Sequence, residues 1–268
     1  MGRRASDPMN LDDDLTGALA AGQFFLVYQP TIDLETNGFA GVEALLRWRN
    51  PVKGTLGPDS FIANLEASGE IVPVGRWALA AATSDGASWH DKGYRFNVSV
   101  NVSPRQFASD GFIDDVAKAL RDSRFDPALF VLEFGQTTLT QDPGTSRQRL
   151  TELRELGVRI AIDDFEPGQS ALDVIQAFEV DVVKLNRDFT ASLGTTSGDA
   201  SLVHSLVQLS ESRHIQVIAA GIEDSDQRAT LQHERVQVGQ GYLFSHPYEA
   251  AEIDTYLEDF SIFSGKPL

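Results

Sequence analysis

The chain has 268 residues, a formal net charge of −17 and no cysteine. That acidity argues against a duplex-DNA binder, which needs a basic face to displace counterions, and the missing cysteines exclude disulfides, thiolate metal sites and a cysteine nucleophile. No linker-like stretch divides the chain and no apolar run reaches spanning length, so one globular domain in a reducing, cytoplasmic setting is expected.

Residues 1–12 read as a disordered tail or linker remnant, 13–260 as the domain and 261–268 as a C-terminal tail. The run 24–29 (FFLVYQ) is the first expected strand, ended by Pro30. A turn around Glu35-Thr36-Asn37-Gly38 leads to a second strand at 41–48. So short a connection forces antiparallel pairing, because a parallel crossover needs a dozen or more residues. From there strands and helices alternate. A helix opens at Pro58 and carries Phe61 and Leu65, and a longer one covers about 74–89. Strand 96–100 precedes helix 112–120, whose Ile113, Val116 and Leu120 share a face. Strand 129–132 leads to Glu133, and helix 146–156 stops at Gly157, a usual terminator. Strand 159–162 ends in Asp163-Asp164, with a helix from about Ser170. Strand 180–183, helix 201–210, strand 215–218, helix 225–231 and a weaker strand 235–238 follow. Gly239-Gln240-Gly241 then leads to a final helix at 248–257.

The short apolar runs share one feature: each closes on a polar residue able to bind a metal or a ligand. Glu43, Asn101, Glu133, Asp163 with Asp164, Lys184 and Glu223 all stand in or just after such runs. A lone acid at a strand end is usually a helix cap, and Glu223 also suits a helix N-terminal acid. Repetition on strand after strand instead marks a TIM-like (β/α)₈ barrel, whose chemistry collects at the C-terminal strand ends. The side-by-side carboxylates of Asp163 and Asp164 suit Mg²⁺ or Mn²⁺ better than a soft metal.

The segment Glu43-Ala44-Leu45 within EALLRW, with Tyr28-Gln29-Pro30 upstream, resembles the EAL family of cyclic-di-GMP phosphodiesterases. Asn101-Val102-Ser103, Leu132-Glu133, Asp163-Asp164-Phe165, Asp181 with Lys184, Gly221-Ile222-Glu223 and Gln240-Gly241-Tyr242 with Pro247 follow in the family's order. The resemblance runs from about residue 15 to 258. It implies a TIM-like barrel with an antiparallel first strand, in agreement with the hairpin. The activity it implies is two-metal hydrolysis of one phosphodiester bond, giving linear pGpG. Glu43, Asn101, Glu133 and Asp163 would then ligate one Mg²⁺ or Mn²⁺, Asp163 and Asp164 would hold the second, and Lys184 would orient the water. By the same resemblance Gln29, Leu46, Arg47 and Gln240 bind the dinucleotide, Arg47 through a phosphate. A protein partner or a homodimer is the kind of assembly implied.

The chain departs from the family pattern at four places. Ala220, in AAGIE, replaces the first Glu of Glu-Gly-Val-Glu, a second-metal ligand and proton acceptor. Gln136 replaces a Glu that braces the neighbouring loop. Glu166-Pro167 replaces Gly-Thr after Asp163-Asp164-Phe165, which fixes φ and removes a donor before Gly168. Lys-Ile-Asp has become Lys184-Leu185-Asn186. The first-metal set is whole and the second is damaged. A lost general base alone removes about 10²–10⁴ of rate. A degenerate domain is therefore expected, binding cyclic-di-GMP or a protein partner with little or no hydrolysis. The alternative is an active or slow phosphodiesterase in which Glu223 or Glu166 replaces the missing acid.

Overall fold

The structure, a computed structural model, describes residues 15, 17–167, 171–193 and 197–264. The expected tail at 1–12, Gly168, the expected helix start at Ser170 and residues 265–268 lie outside them. Short runs rich in β-branched and aromatic residues form the strands β1 (Phe24–Asp33), β2 (Phe39–Asn50), β3 (Gly54–Leu56), β4 (Asn97–Val102) and β5 (Phe130–Gly135). The second half supplies β6 (Arg159–Phe165), β7 (Val182–Leu185), β8 (Gln216–Ala219), β9 (Val238–Gly239) and β10 (Tyr248–Glu249). From β2 through β4, β5, β6, β7, β8 and β9 every pairing is parallel. Strand β1 closes the ring by pairing antiparallel with both β2 and β9. This is the TIM-like barrel with a reversed first strand that the short hairpin requires. Strands β3 and β10 add short antiparallel extensions to β2 and β1; at three and two residues they carry no periodic signal.

Two boundaries differ from expectation for physical reasons. Strand β1 does not end at Pro30 but continues to Asp33. The proline lies between Val27 and Tyr28, which pair with β10, and Ile32 and Asp33, which pair with β9. Its missing N–H therefore breaks no ladder on that side. At the other end, Tyr248 and Glu249 belong to β10, and the last helix, Ala250–Ser264, runs on into the stretch expected as a tail. Buried Ile253 and Leu257 hold one face of it. Tyr256 and Phe260 stack with ring centroids 5.9 Å apart and pack against Phe39.

The main core lies between the barrel's outer wall and the helices, with Tyr28, Trp89, Phe130, Phe134 and Phe165 fully buried. Such burial stabilises by about 1.5–3 kcal/mol for each large apolar side chain. A second cluster around Phe24, Trp48 and Phe61 underlies the N-terminal hairpin. Inside the barrel, Val131, Ala161 and Val182 form a thin apolar layer, with Ile218 against it. Side chains alternate along a strand, so the residue two positions further on also points inward, one layer nearer the mouth. That step delivers Glu133, Asp163, Lys184 and Ala220. Among the described residues no helix is long and apolar enough to cross a membrane.

Candidate functional site

The layer above the apolar floor is charged. Lys184 Nζ donates to Glu43 Oε2 at 2.6 Å and to Glu133 Oε2 at 2.9 Å, and lies 3.6 Å from Asp163 Oδ1. Asn101 Nδ2 donates to Glu43 Oε1 at 2.7 Å, and Gln240 Nε2 to Glu43 Oε2 at 2.8 Å. Six residues singled out in the sequence thus meet, delivered by β2, β4, β5, β6, β7 and the turn after β9. Ser99, which sequence reasoning missed, joins them by hydrogen-bonding Glu133. Its signal was parity, since it stands two residues before Asn101 on the same strand face.

The two glutamates respond oppositely to this setting. Burial alone would raise the Glu43 carboxyl, but the Lys184 charge and hydrogen bonds from Lys184, Gln240 and Asn101 hold it below its ordinary value. Glu133 lacks the amide donors. Burial, with repulsion from Glu43 and Asp163, pushes it up to about 8 despite Lys184 and Ser99. Burial likewise raises Asp163, against the pull of Lys184 and with added repulsion from Glu43 and Asp164. For Lys184 burial works downward, but three carboxylates outweigh it and keep the ammonium protonated well above its ordinary range.

At the rim the chain is less regular. Strand β6 does not stop at Asp163. It pairs Ile162 with Val183 and then Phe165 with Leu185, leaving one extra residue in the bulge. Asp164 takes that bulge with φ +55° and is exposed, its Oδ1 accepting from Asn186 Nδ2 at 3.3 Å. An open pocket of about 220 Å³ lies here, with Asp163, Asp164, Lys184, Ala220 and Tyr242 in its wall. Gln29 also lines it, Nε2 donating to the Ser245 carbonyl at 3.3 Å. Glu223 reaches the same pocket but is exposed and ion-paired to Arg187 at 2.5 Å. The helix-capping role open to it belongs instead to Asp224, whose side chain accepts from the Asp226 and Gln227 N–H groups.

Leu46 and Arg47 stand apart from the acid cluster. The alternation that points Glu43 into the barrel points Ala44 and Leu46 outward. Leu46 lines an adjoining, largely apolar cleft of about 580 Å³ with Leu26, Ile62 and Val74, which shares Asp164 with the mouth pocket and has Asn101 in its wall. Arg47 is half-buried, its guanidinium donating to the Leu46 carbonyl at 2.9 Å. Burial lowers it, against the opposing influence of Tyr242, Glu43 and Asp59.

Among the described residues no group of three or more His, Cys, Asp or Glu side chains stands in metal-holding geometry; the Lys184 ammonium sits where the acids converge. The donor set nevertheless fits a hard divalent cation. It offers the carboxylates of Glu43, Glu133 and Asp163 and the amide oxygen of Asn101, all of the ligand type such ions select. Three carboxylates against one ammonium leave the layer short of positive charge, and Glu133 answers by keeping its proton.

A barrel with a reversed first strand and acids at its strand ends has close relatives. The family model described as EAL domain matches residues 12–247. The chain belongs to the EAL domain family. NbdA of Pseudomonas aeruginosa, named a cyclic di-GMP phosphodiesterase, is 32% identical over 266 residues, 99% of this EAL domain chain and 34% of its own length. PdeR of Escherichia coli, named likewise, is 30% identical over 260 residues, covering 97% of this chain and 39% of its own length. A solved structure described as the PaMucR phosphodiesterase in complex with c-di-GMP superposes with a TM-score of 0.85 at 34% identity. It covers 90% of this chain and 98% of that one. The EAL domain chain spans about a third of the length of the curated relatives it matches.

Proposed function

We propose that this EAL domain binds cyclic-di-GMP at the barrel mouth and hydrolyses it slowly or not at all. On this reading it is a degenerate member that passes the bound state to a protein partner or a second copy, within a cytoplasmic signalling protein. The observation that carries the proposal is Ala220, a methyl group on the pocket wall where the family pattern has an acid. Glu223, three residues on, is exposed and ion-paired to Arg187.

Three of the described groups at the centre of the mouth are poor proton acceptors. Lys184 is an ammonium, Glu133 holds its own proton up to about 8, and Glu43 already accepts from Lys184, Asn101 and Gln240. Binding asks less of the site. Glu43, Asn101, Glu133 and Asp163 would hold one Mg²⁺ or Mn²⁺, with Asp164 left as a lone second-site donor beside Asp163. When bound, such an ion activates water and neutralises phosphoryl oxygens. Arg47 supplies a cation for a phosphate, and the Gln29 and Gln240 amides supply donors for the rest of the dinucleotide.

Calorimetry with cyclic-di-GMP, with and without Mg²⁺, run beside a product assay for pGpG, tests this directly. The expected result is binding with at most a trace of product. Robust turnover overturns the proposal, and absence of binding at high micromolar ligand turns it into a protein-interaction module. A working phosphodiesterase is the second reading, favoured by the assembled set of Glu43, Asn101, Glu133, Asp163 and Lys184 and by the names of the relatives. It requires that turnover be lost in Glu166→Ala or Glu223→Ala.

A further inference from the structure

We propose that Asn186 is a positioning residue that holds Asp164 through an amide hydrogen bond, a task that would otherwise fall to a cation. The inference rests on the reading of the acid cluster as a divalent-cation site, and it concerns why the Asp164 side of that site binds such ions weakly.

Asn186 stands between β7 and the helix Arg187–Ser192, and its side-chain oxygen is already committed. Oδ1 accepts the backbone N–H of Asp188 at 2.7 Å and of Phe189 at 3.2 Å, capping the helix. This double acceptance decides which end of the amide is oxygen, so the NH₂ group must face the other way. It faces Asp164 Oδ1 at 3.3 Å. The backbones are tied as well, since the Asn186 N–H donates to the Phe165 carbonyl at 3.0 Å. The residue that donates to the Asp164 side chain is thus also tied to the backbone of the next residue along β6.

The cap does not account for asparagine here, because aspartate caps a helix about equally well. Only the outer end of the side chain distinguishes the two. With Asp at 186, one carboxylate would cap the helix with one oxygen and present the other to Asp164 at about hydrogen-bond range. Two carboxylates that close need a proton or a metal ion between them. With Asn the contact is satisfied by the protein alone. It also steadies a residue that needs help, since a non-glycine residue at φ +55° sits in the sparsely populated left-handed region. The adjacent residue repeats the pattern: Arg187 neutralises Glu223. The acids at this rim are thus matched to protein donors, with Ala220 adding none.

Mn²⁺ binding followed by the electron paramagnetic resonance of the free ion, with thermal unfolding in parallel, tests the proposal on four proteins. These are the wild type, Asn186→Asp, Asn186→Ser, and the exchanged pair Asp164→Asn with Asn186→Asp. The aspartate variant is expected to bind Mn²⁺ about tenfold more tightly or to gain a further equivalent, as a site with an added charged ligand does. Its unfolding midpoint should become Mn²⁺-dependent. The serine variant keeps an oxygen cap but adds no carboxylate, and should show no gain. The exchanged pair restores a donor–acceptor contact and should return to wild-type binding. If Asn186→Asp fails to fold alone, rescue by Mn²⁺ supports the proposal and failure of rescue overturns it. Equal Mn²⁺ binding by the wild type and Asn186→Asp overturns it alone, whereas no binding by any of the four overturns the cation reading with it.

Discussion

Replacing Lys184 with Met tests the charged layer most directly, because the side chain keeps its length and loses only its ammonium. Two charged hydrogen bonds disappear, at 2.6 Å to Glu43 and 2.9 Å to Glu133. Each such bond is worth about 1.5–3 kcal/mol, and removing one partner of a buried pair costs about 3–5 kcal/mol. Glu133 holds its proton up to about 8 and so suffers less at neutral pH, which favours the lower end. About 3 kcal/mol is expected at pH 7, a drop of about 6–12 °C in melting temperature for a domain of this size. The deficit should shrink toward pH 5. Without Lys184 the buried Glu43 takes a proton more readily folded than unfolded, so its contribution is present at low pH and lost as pH rises. In the wild type Glu133 obeys the same rule: its contribution is full below its ordinary 4.5 and lost as pH climbs to about 8. Mn²⁺ should restore part of the variant's stability by replacing the missing charge. Urea unfolding at pH 5, 7 and 8, with and without Mn²⁺, measures all of this. A loss below about 1 kcal/mol that ignores pH would refute the account of the layer, since exposed pairs contribute no more than that.

Two further outcomes are expected at the mouth. Arg47→Ala should weaken cyclic-di-GMP binding by about 1.5–3 kcal/mol in calorimetry, the range for a charged hydrogen bond, and an unchanged affinity would remove Arg47 from the ligand site. Combining Ala220→Glu with Gln136→Glu, Glu166→Gly and Pro167→Thr should yield far more pGpG than the sum of the single changes, because residues that act as one unit are non-additive; additive traces would place the loss elsewhere.

Much of this architecture was legible because strand parity is rigid. Each apolar inward residue, such as Val131 or Val182, predicts that its neighbour two positions on also faces inward, and Glu133 and Lys184 obey. The reversed β1 followed from loop length alone. What stayed hidden depends on contacts between distant residues. Nothing in Asp163-Asp164 marks the bulge that Asp164 occupies, because the extra residue exists only relative to β7. The ion pair of Glu223 with Arg187 joins positions 36 residues apart, and no local pattern couples them. Leu46 and Arg47 are neighbours in the sequence, yet alternation turns them to opposite faces, with Leu46 lining a largely apolar cleft. Pro30 suggests a strand end because proline cannot donate to a ladder, and only the gap between β10 and β9 makes it harmless.

The way β1 closes the ring also sets the order in which the molecule can be assembled. Its far edge waits for Val238, Gly239, Tyr248 and Glu249, more than 200 residues away along the chain. During synthesis the hairpin of β1 and β2 can form early, but until the last strands emerge the sheet is an open fan with two bare edges, and bare edges recruit strands from other molecules. Contacts so distant in sequence are slow to find, since loop closure must come before any gain from pairing. The same seam binds the opening strand to the closing ones, so force applied to segments attached at either end would load these few ladder pairs first. Gln29 sits on β1 between the two paired stretches, which places one wall of the mouth on the fold's last-made joint.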